Sequence, residues 1–398
     1  CTPKQACKPA DKRQGSRTLN SLMRPMESYG ITRRRGFVPA SDPLQRLPES
    51  CAIVDRVSSE LAWHMKQQSL GKAISDIGHL DIDLLNGRPE RERLFLALCV
   101  LANAWIWGQA EPNLRIPAPL AGPMVKLASI LDRKATLTYA SMAFFNWEKT
   151  DPEGQVCAEN TNLLCGFLGT RDETWFVTSA LHLEVACAPL LATLYDAVVL
   201  SLHEDTDGLQ QQLASLAEQM HIMTDAVLKV REQCDPVVFY NHVRPFFAGW
   251  PSPGVFYEGV SETPRILAGA SAAQSPLVQA FDAALGIRHT GNTAAFLDSM
   301  TPYMMAEHRR FIRDVRSASG IRDMVACSGS VEMRSSYNFI TEQLNEFRRR
   351  HFHLVTDYVT KPSRQTTSTG TGGSFYSEIL RDAGTATKNA CLPAHKAI

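Results

Sequence analysis

Residues 330–361 read SVEMRSSYNFITEQLNEFRRRHFHLVTDYVTK, and their apolar positions decide the fold class. Tyr337, Ile340, Leu344, Phe347, Leu354 and Tyr358 recur at spacings of three and four, with one gap of seven. That is the stripe of an amphipathic helix laid on a core. His351 fills the gap, four residues after Phe347 and three before Leu354. His353 falls among Arg349, Arg350, Thr356 and Asp357 on the wet face. A buried neutral imidazole needs partners for its ring nitrogens or a metal to bind. Two readings stay open at this point: a hydrogen-bonded core histidine, or a proximal ligand of the kind haem iron takes.

Outward from this segment the periodicity is helical almost everywhere after Cys51, over 52–69, 88–108, 122–133, 172–203, 206–233, 236–248, 274–286 and 304–318. Strand-like alternation is confined to weak candidates near 135–146. The predicted fold class is all-α. Residues 175–202 are apolar nearly all round, which predicts a helix buried on most sides and a large helical domain around it. Asp172 and Glu173 offer a cap and first-turn charge for that helix. The polar stretch 146–160, with Pro152 and Gly154, marks a domain boundary. The expected organisation is a flexible arm over 1–35, a small helical domain over 36–150 and a large one over 151–398. The small domain opens with a proline-bearing surface piece, 36–48. Near the end, PSRQTTSTGTGG (362–373) reads as a mobile polar loop, and Ser374 as the cap of a last short helix. The loop is a linker or a lid over a site.

Composition narrows the function classes. Lysine plus arginine total 41, as do aspartate plus glutamate. No net field therefore favours nucleic acid or an anionic membrane as a partner. No uninterrupted apolar run approaches the roughly 20 residues that span a bilayer. The ten cysteines show no CxxC and no zinc-finger spacing to histidine. Cys99 and Cys187 fall inside apolar helices as small hydrophobes, and a reducing, cytoplasmic compartment is expected. The chain opens at Cys1 rather than methionine, as a trimmed chain does, and its first thirty residues lack a signal-peptide pattern. P-loop, GxGxxG, GxSxG and HExxH motifs are absent.

Two further segments carry chemistry. In VVFYNHVRPFFAGW (237–250), Arg244 stands among Phe239, Tyr240, Phe246, Phe247 and Trp250. An arginine in aromatic surroundings can grip a carboxylate bidentately, or form an internal ion pair, or stack on rings and reach outward. In LAGASAAQSPLVQAFDAALGI (267–287) the opening small residues let backbone approach a flat ligand, or simply form a tight turn. Asp282 is the sole charge on the apolar part of the following helix, and Arg348 is a candidate partner.

Together FYNHVRPFFAGW, VFYEGV (255–260), AGASAAQS (268–275), FDAALGI (281–287), MAEHRRFI (305–312), HFHLVTDYV (351–359) and GTGG (370–373) resemble the indoleamine 2,3-dioxygenase family. These are haem enzymes that open the indole ring of tryptophan. The resemblance runs from about Gly36 to the last short helix and is closer to microbial, fungal-like members. It implies that His351, not His353, ligates the iron of haem b. It implies that Arg244 holds the substrate carboxylate, with Phe239, Tyr240 and Phe176 around the indole. Ser271 and Ala272 match small residues over the haem face, and Gly370, Thr371 and Gly372 match a loop that closes on bound substrate. Asp282 and Arg348 match groups that steady the proximal side and a haem propionate. The position that often carries serine in the family is Ala180 here. That implies no side-chain hydroxyl beside bound oxygen, and no acid or base drawn from the protein. Tyr240, where the family often has phenylalanine, brings a hydroxyl that would favour a substituted indole.

The expected function is a cytoplasmic haem dioxygenase. It would insert both atoms of O2 across the indole C2–C3 bond of L-tryptophan or a related indoleamine, giving N-formylkynurenine. An external reductant is implied as a further partner. The competing expectations are a related haem enzyme that inserts one oxygen into an aromatic amino acid or substituted indole, and a haem-binding signalling protein without enzymatic activity.

Overall fold

The computed structural model describes residues 23–363, 370–373 and 376–393. The expectations for residues 1–22, 364–369 and Ser374 lie outside the described residues. Helices dominate, as the sequence predicts. The principal ones are α1 (Gly87–Trp107), α2 (Arg171–Ala186), α3 (Ala188–Leu202), α4 (Thr206–Gln219), α5 (Pro276–Ala284), α6 (Gly291–Met300), α7 (Ala306–Ala318), α8 (Val331–Val355) and α9 (Tyr376–Asn389). Helices Leu70–Ile77, Gly291–Met300 and Ile321–Cys327 have no counterpart in the periodicity reading. Strands are few and short. Arg115–Ile116 pairs parallel with Val255–Tyr257, which pairs antiparallel with Ser261–Arg265.

Helix α8 carries the stripe read from the sequence. Tyr337, Ile340, Leu344, Phe347 and Leu354 are all buried, and α8 packs against α4 and α9. Ser330 caps it, its hydroxyl accepting the Met333 N–H at 3.1 Å. Helix α2 differs from expectation at its start. Thr170 is the cap, and Glu173 turns back to accept the backbone N–H groups of Phe167, Leu168 and Gly169 at 2.6, 2.8 and 3.0 Å. By length and hydropathy Arg171–Leu202 could cross a membrane, yet half of its most apolar window is buried within the fold, and it breaks into α2 and α3 at Cys187.

Two local expectations are corrected. Residues 23–35 are not a free arm: Met26, Tyr29 and Ile31 are core residues, and the Tyr29 hydroxyl donates to Asp314 at 2.8 Å. Phe37 and Val38 are likewise buried. An aromatic ring that can bury itself and satisfy its hydroxyl holds a short segment that lacks periodicity. The 135–146 stretch is not a strand but leads into a π-helical turn, Ala140–Phe144.

A buried charge cluster ties the two halves of the chain together. Glu92 on α1 accepts from Arg133 and, at 3.2 Å, from Arg88, which also pairs with Glu307 on α7. Arg133 and Glu92 are almost wholly buried, and the Arg133 guanidinium lies 5.2 Å from the Phe95 ring centre. Removing one partner of such a pair leaves an uncompensated charge in the core. The variant Glu92→Ala is expected to lose about 3–5 kcal/mol of unfolding free energy in urea titration; an unchanged midpoint would contradict this role for the pair.

Candidate functional site

One apolar cavity of about 350 Å³ lies between α2, α8 and the loops that face them. Phe176, Ser179, Ala180 and Leu183 form its α2 wall, one helical face at spacings of three and four. This explains why α2 is apolar nearly all round: one face meets the core and another meets the cavity. Phe347, Arg348, His351 and Leu354 form the α8 wall.

Three π-helical turns border the same space. Met142 comes from Ala140–Phe144, Phe239 from Phe239–Val243, and Tyr358 and Val359 from Thr356–Thr360. Such widened turns recur at functional sites, because the extra residue re-aims neighbouring side chains. At Phe239–Val243 the sequence cause is visible. Pro245 cannot donate a backbone hydrogen bond, and the chain continues as a 3-10 turn, Arg244–Phe247. Asn103 on α1 holds that turn by donating to the Phe246 carbonyl at 2.8 Å.

His351 is half-buried, with its ring bordering the cavity. Burial lowers its pKa to about 4, and the nearby Arg348 charge adds to the effect. The imidazole is therefore neutral at physiological pH. Phe347 stacks near it, at 6.3 Å between ring centres. Neither ring nitrogen has a hydrogen-bond partner among the described residues. His353 is exposed and lies beside Arg349. Below His351, Arg348 donates to Asp282, whose other oxygen meets His289 Nε2 at 2.8 Å. Burial pushes the Asp282 carboxyl up, but Arg348 and His289 outweigh it and hold it below its ordinary value. The Arg348 Nε–H is buried and has no partner among the described residues, so the side chain keeps a donor for an anion.

Arg244 borders the cavity beside an aromatic wall in which Phe176 and Phe239 stand 4.3 Å apart, with Phe247 5.6 Å from Phe176. Burial lowers the Arg244 pKa from its ordinary value, while Tyr240 and Tyr376 act the other way. An arginine in such a setting stays charged. Tyr240 is the exception among the expected wall residues. It lines a separate groove with Arg231, Asp357 and Lys361, and touches the site only through its ring, 5.4 Å from the Arg244 guanidinium carbon. Consecutive residues on a helical turn point about 100° apart, so Phe239 and Tyr240 do not face one cavity.

Ser271, Ala272, Gly370, Thr371 and Gly372 all line the cavity. The Gly269 N–H donates to the Thr371 carbonyl at 3.0 Å, and the Thr371 hydroxyl donates to the Ala270 carbonyl at 2.8 Å. A Cβ on Gly372 would lie 3.3 Å from both Ser271 Oγ and Phe296. Behind this contact two backbone segments cross. A Cβ on Gly269 would collide with the Phe247 carbonyl, and one on Gly249 with the Leu267 carbonyl. The crossing is closed by the Trp250 N–H donating to Leu267 at 2.9 Å. It sets Arg244 and the 370–373 loop on either side of one junction.

Sequence reasoning missed Tyr139, Met142, Ser179, Ser275, Phe296 and Tyr376, all of which line the cavity. Nor does Ala180 leave the wall without hydroxyls. The Ser179 hydroxyl is buried there with no hydrogen-bond partner among the described residues.

A family model described as indoleamine 2,3-dioxygenase matches residues 25–391. The indoleamine 2,3-dioxygenase 1 of Rattus norvegicus is 29% identical over 95% of this chain and 97% of its own length. The indoleamine 2,3-dioxygenase nanC of Aspergillus nanangensis is 30% identical over 92% of this chain and 97% of its own. The 6-hydroxytryptophan 2,3-dioxygenase fscD of Fusarium equiseti is 29% identical over 92% and 93%.

The backbone crossing generates a direct test. Gly269→Ala forces the two segments apart, an overpacking that costs about 1–3 kcal/mol. A lowered unfolding midpoint and faster proteolysis near residues 370–373 are expected; an unaltered midpoint would show that the crossing tolerates a side chain.

Proposed function

The chain belongs to the indoleamine 2,3-dioxygenase family, haem-iron dioxygenases of tryptophan and related indoles, and we propose that its own reaction converts L-tryptophan and O2 to N-formylkynurenine. Both oxygen atoms enter across the indole C2–C3 bond, so product and substrate differ by one O2. The observation that carries the reading is the convergence on one apolar cavity of an imidazole with no hydrogen-bond partner among the described residues, an arginine and an aromatic wall.

The residues present fit haem. His351 offers a neutral ring nitrogen with no protein partner among the described residues. Arg348 keeps a buried N–H for a propionate, and the Asp282 carboxylate fixes its direction. Ser271 and Ala272 are small enough to leave room for a flat macrocycle. Haem held in this way supplies the redox chemistry that activates dioxygen.

What remains is assigned to the chain. Arg244 binds the substrate carboxylate by charge-assisted hydrogen bonds. Phe176, Phe239 and Phe247 orient the indole plane and exclude water. Gly370, Thr371 and Gly372 close over the amino acid, with Thr371 pinned to the Gly269–Ala270 backbone. The division near residue 150 into a small helical domain and a large cofactor-holding one belongs to the same proposal. So do an external reductant and a reducing cytoplasmic setting, which the unpaired thiols of Cys51, Cys99 and Cys187 support. A ring-hydroxylated tryptophan is the second substrate reading. The relative named for 6-hydroxytryptophan favours it.

Mass spectrometry of L-tryptophan incubated with the reduced, haem-loaded protein under 18O2 tests the reading. A product heavier by two labelled atoms is expected; one labelled atom, or none, would refute it. Arg244→Leu should weaken tryptophan binding at least about 30-fold, the loss of roughly 2 kcal/mol or more from a desolvated charge pair. It should leave the haem spectrum intact, and an unchanged tryptophan Kd would remove Arg244 from the site.

A further inference from the structure

Behind the cavity wall stands a buried carboxyl with no part in the account so far. Glu184 on α2 is 1% exposed and does not itself reach the cavity. Two residues that do reach it, Tyr139 and Ser275, turn their hydroxyls onto one of its oxygens. Tyr139 donates to Oε1 at 3.1 Å and Ser275 donates to the same atom at 2.5 Å. Oε2 has no hydrogen-bond partner among the described residues. Gln274 locks the arrangement, accepting the Tyr139 backbone N–H at 2.8 Å and donating to the Gly269 carbonyl at 2.7 Å.

This geometry has two hydrogen-bonding states. An ionised carboxylate only accepts, so both hydroxyl protons point at Glu184 and each hydroxyl oxygen is left as an acceptor, that of Ser275 already taking the Leu277 N–H at 3.2 Å. A protonated carboxyl must donate its own proton to one hydroxyl oxygen. That hydroxyl then turns and presents its proton to the cavity. We propose that Glu184 is a positioning residue that sets whether Tyr139 and Ser275 meet the bound substrate as acceptors or as donors. The substrate is the indole amino acid of the proposed function, on which this inference rests for its ligand. An indole N–H can only donate, so the ionised state binds it better.

Both states are accessible near neutrality. Burial raises the Glu184 pKa to about 7, against the opposing pull of the Ser275 and Tyr139 hydrogen bonds. The titratable groups that face it are Tyr139 and, from the end of its own helix, Cys187. Both have raised pKa values through burial and stay neutral in this range. Among the charged residues of elements packed on α2, Glu159, Lys229 and Glu232 act on His182 instead.

Infrared difference spectra of the haem-loaded full chain, taken from about pH 6 to about pH 8, read this carboxyl directly. A protonated-acid carbonyl band should titrate with a midpoint near neutrality, vanish in Glu184→Gln, and shift its midpoint upward in Ser275→Ala. Over the same range the tryptophan Kd should tighten about fivefold on raising the pH, the worth of one net hydrogen bond, and should be flat in Glu184→Gln. No titrating band, a midpoint unmoved by Ser275→Ala, or an equal pH dependence in Glu184→Gln would overturn the proposal. Failure to bind tryptophan at any pH would instead contradict the proposed function, while the band and its Ser275→Ala displacement still decide the ionisation of Glu184.

Discussion

A neutral imidazole that borders an apolar cavity, with no hydrogen-bond partner among the described residues, presents its ring to that space. Such a ring nitrogen is open to a ligand, and the surroundings of His351 hold the ring in place. Phe347 and Leu354 fix the ring on α8 and the Arg348–Asp282–His289 cluster stiffens the turn beneath it. The rest of the space is lined largely by aromatic, aliphatic and small residues. A metal-bearing macrocycle would find a ligand in that nitrogen, and the family depends on haem iron.

The second constraint is the junction of two backbones at Gly249 and Gly269. Because neither position has a side chain, the turn carrying Arg244 and the strap carrying Ser271 lie in contact, and Thr371 docks onto the strap through two hydrogen bonds. The Arg244 turn, the cavity wall and residues 370–373 are therefore mechanically one unit. The same strap runs on through Gln274 to Tyr139 and Ser275, which places the buried Glu184 carboxyl one hydrogen bond from residues that line the cavity.

Much of this was legible in the sequence where local periodicity and chemistry coincide. His351 stands out because it occupies an apolar stripe, and that stripe is buried in the fold. Arg244 stands out among rings for the same kind of reason. The Asp282–Arg348 pair follows from Asp282 being the sole charge on the apolar part of its helix, for which Arg348 was a candidate partner. Other features had no local signature. A π-helical turn leaves no distinct period, so Tyr139 and Met142 were hidden in a stretch that resembles a weak strand. The pairing of Gly249 with the 267–269 backbone is tertiary, and nothing in either segment announces the other. Tyr240 was placed beside Phe239 at the indole by the family resemblance, whereas the two side chains line different spaces. Tyr29 and Ile31 were lost in a basic, proline-bearing stretch whose few apolar residues are all used.

The central claim is that His351 holds the cofactor, and absorbance titration of haem into the apoprotein tests it most directly. The account predicts stoichiometric uptake by the parent chain and none of comparable affinity by His351→Ala. Added free imidazole should restore the spectrum, and circular dichroism should show that the variant keeps its helices. Equal uptake by His351→Ala, with the same spectrum and no response to imidazole, would contradict it.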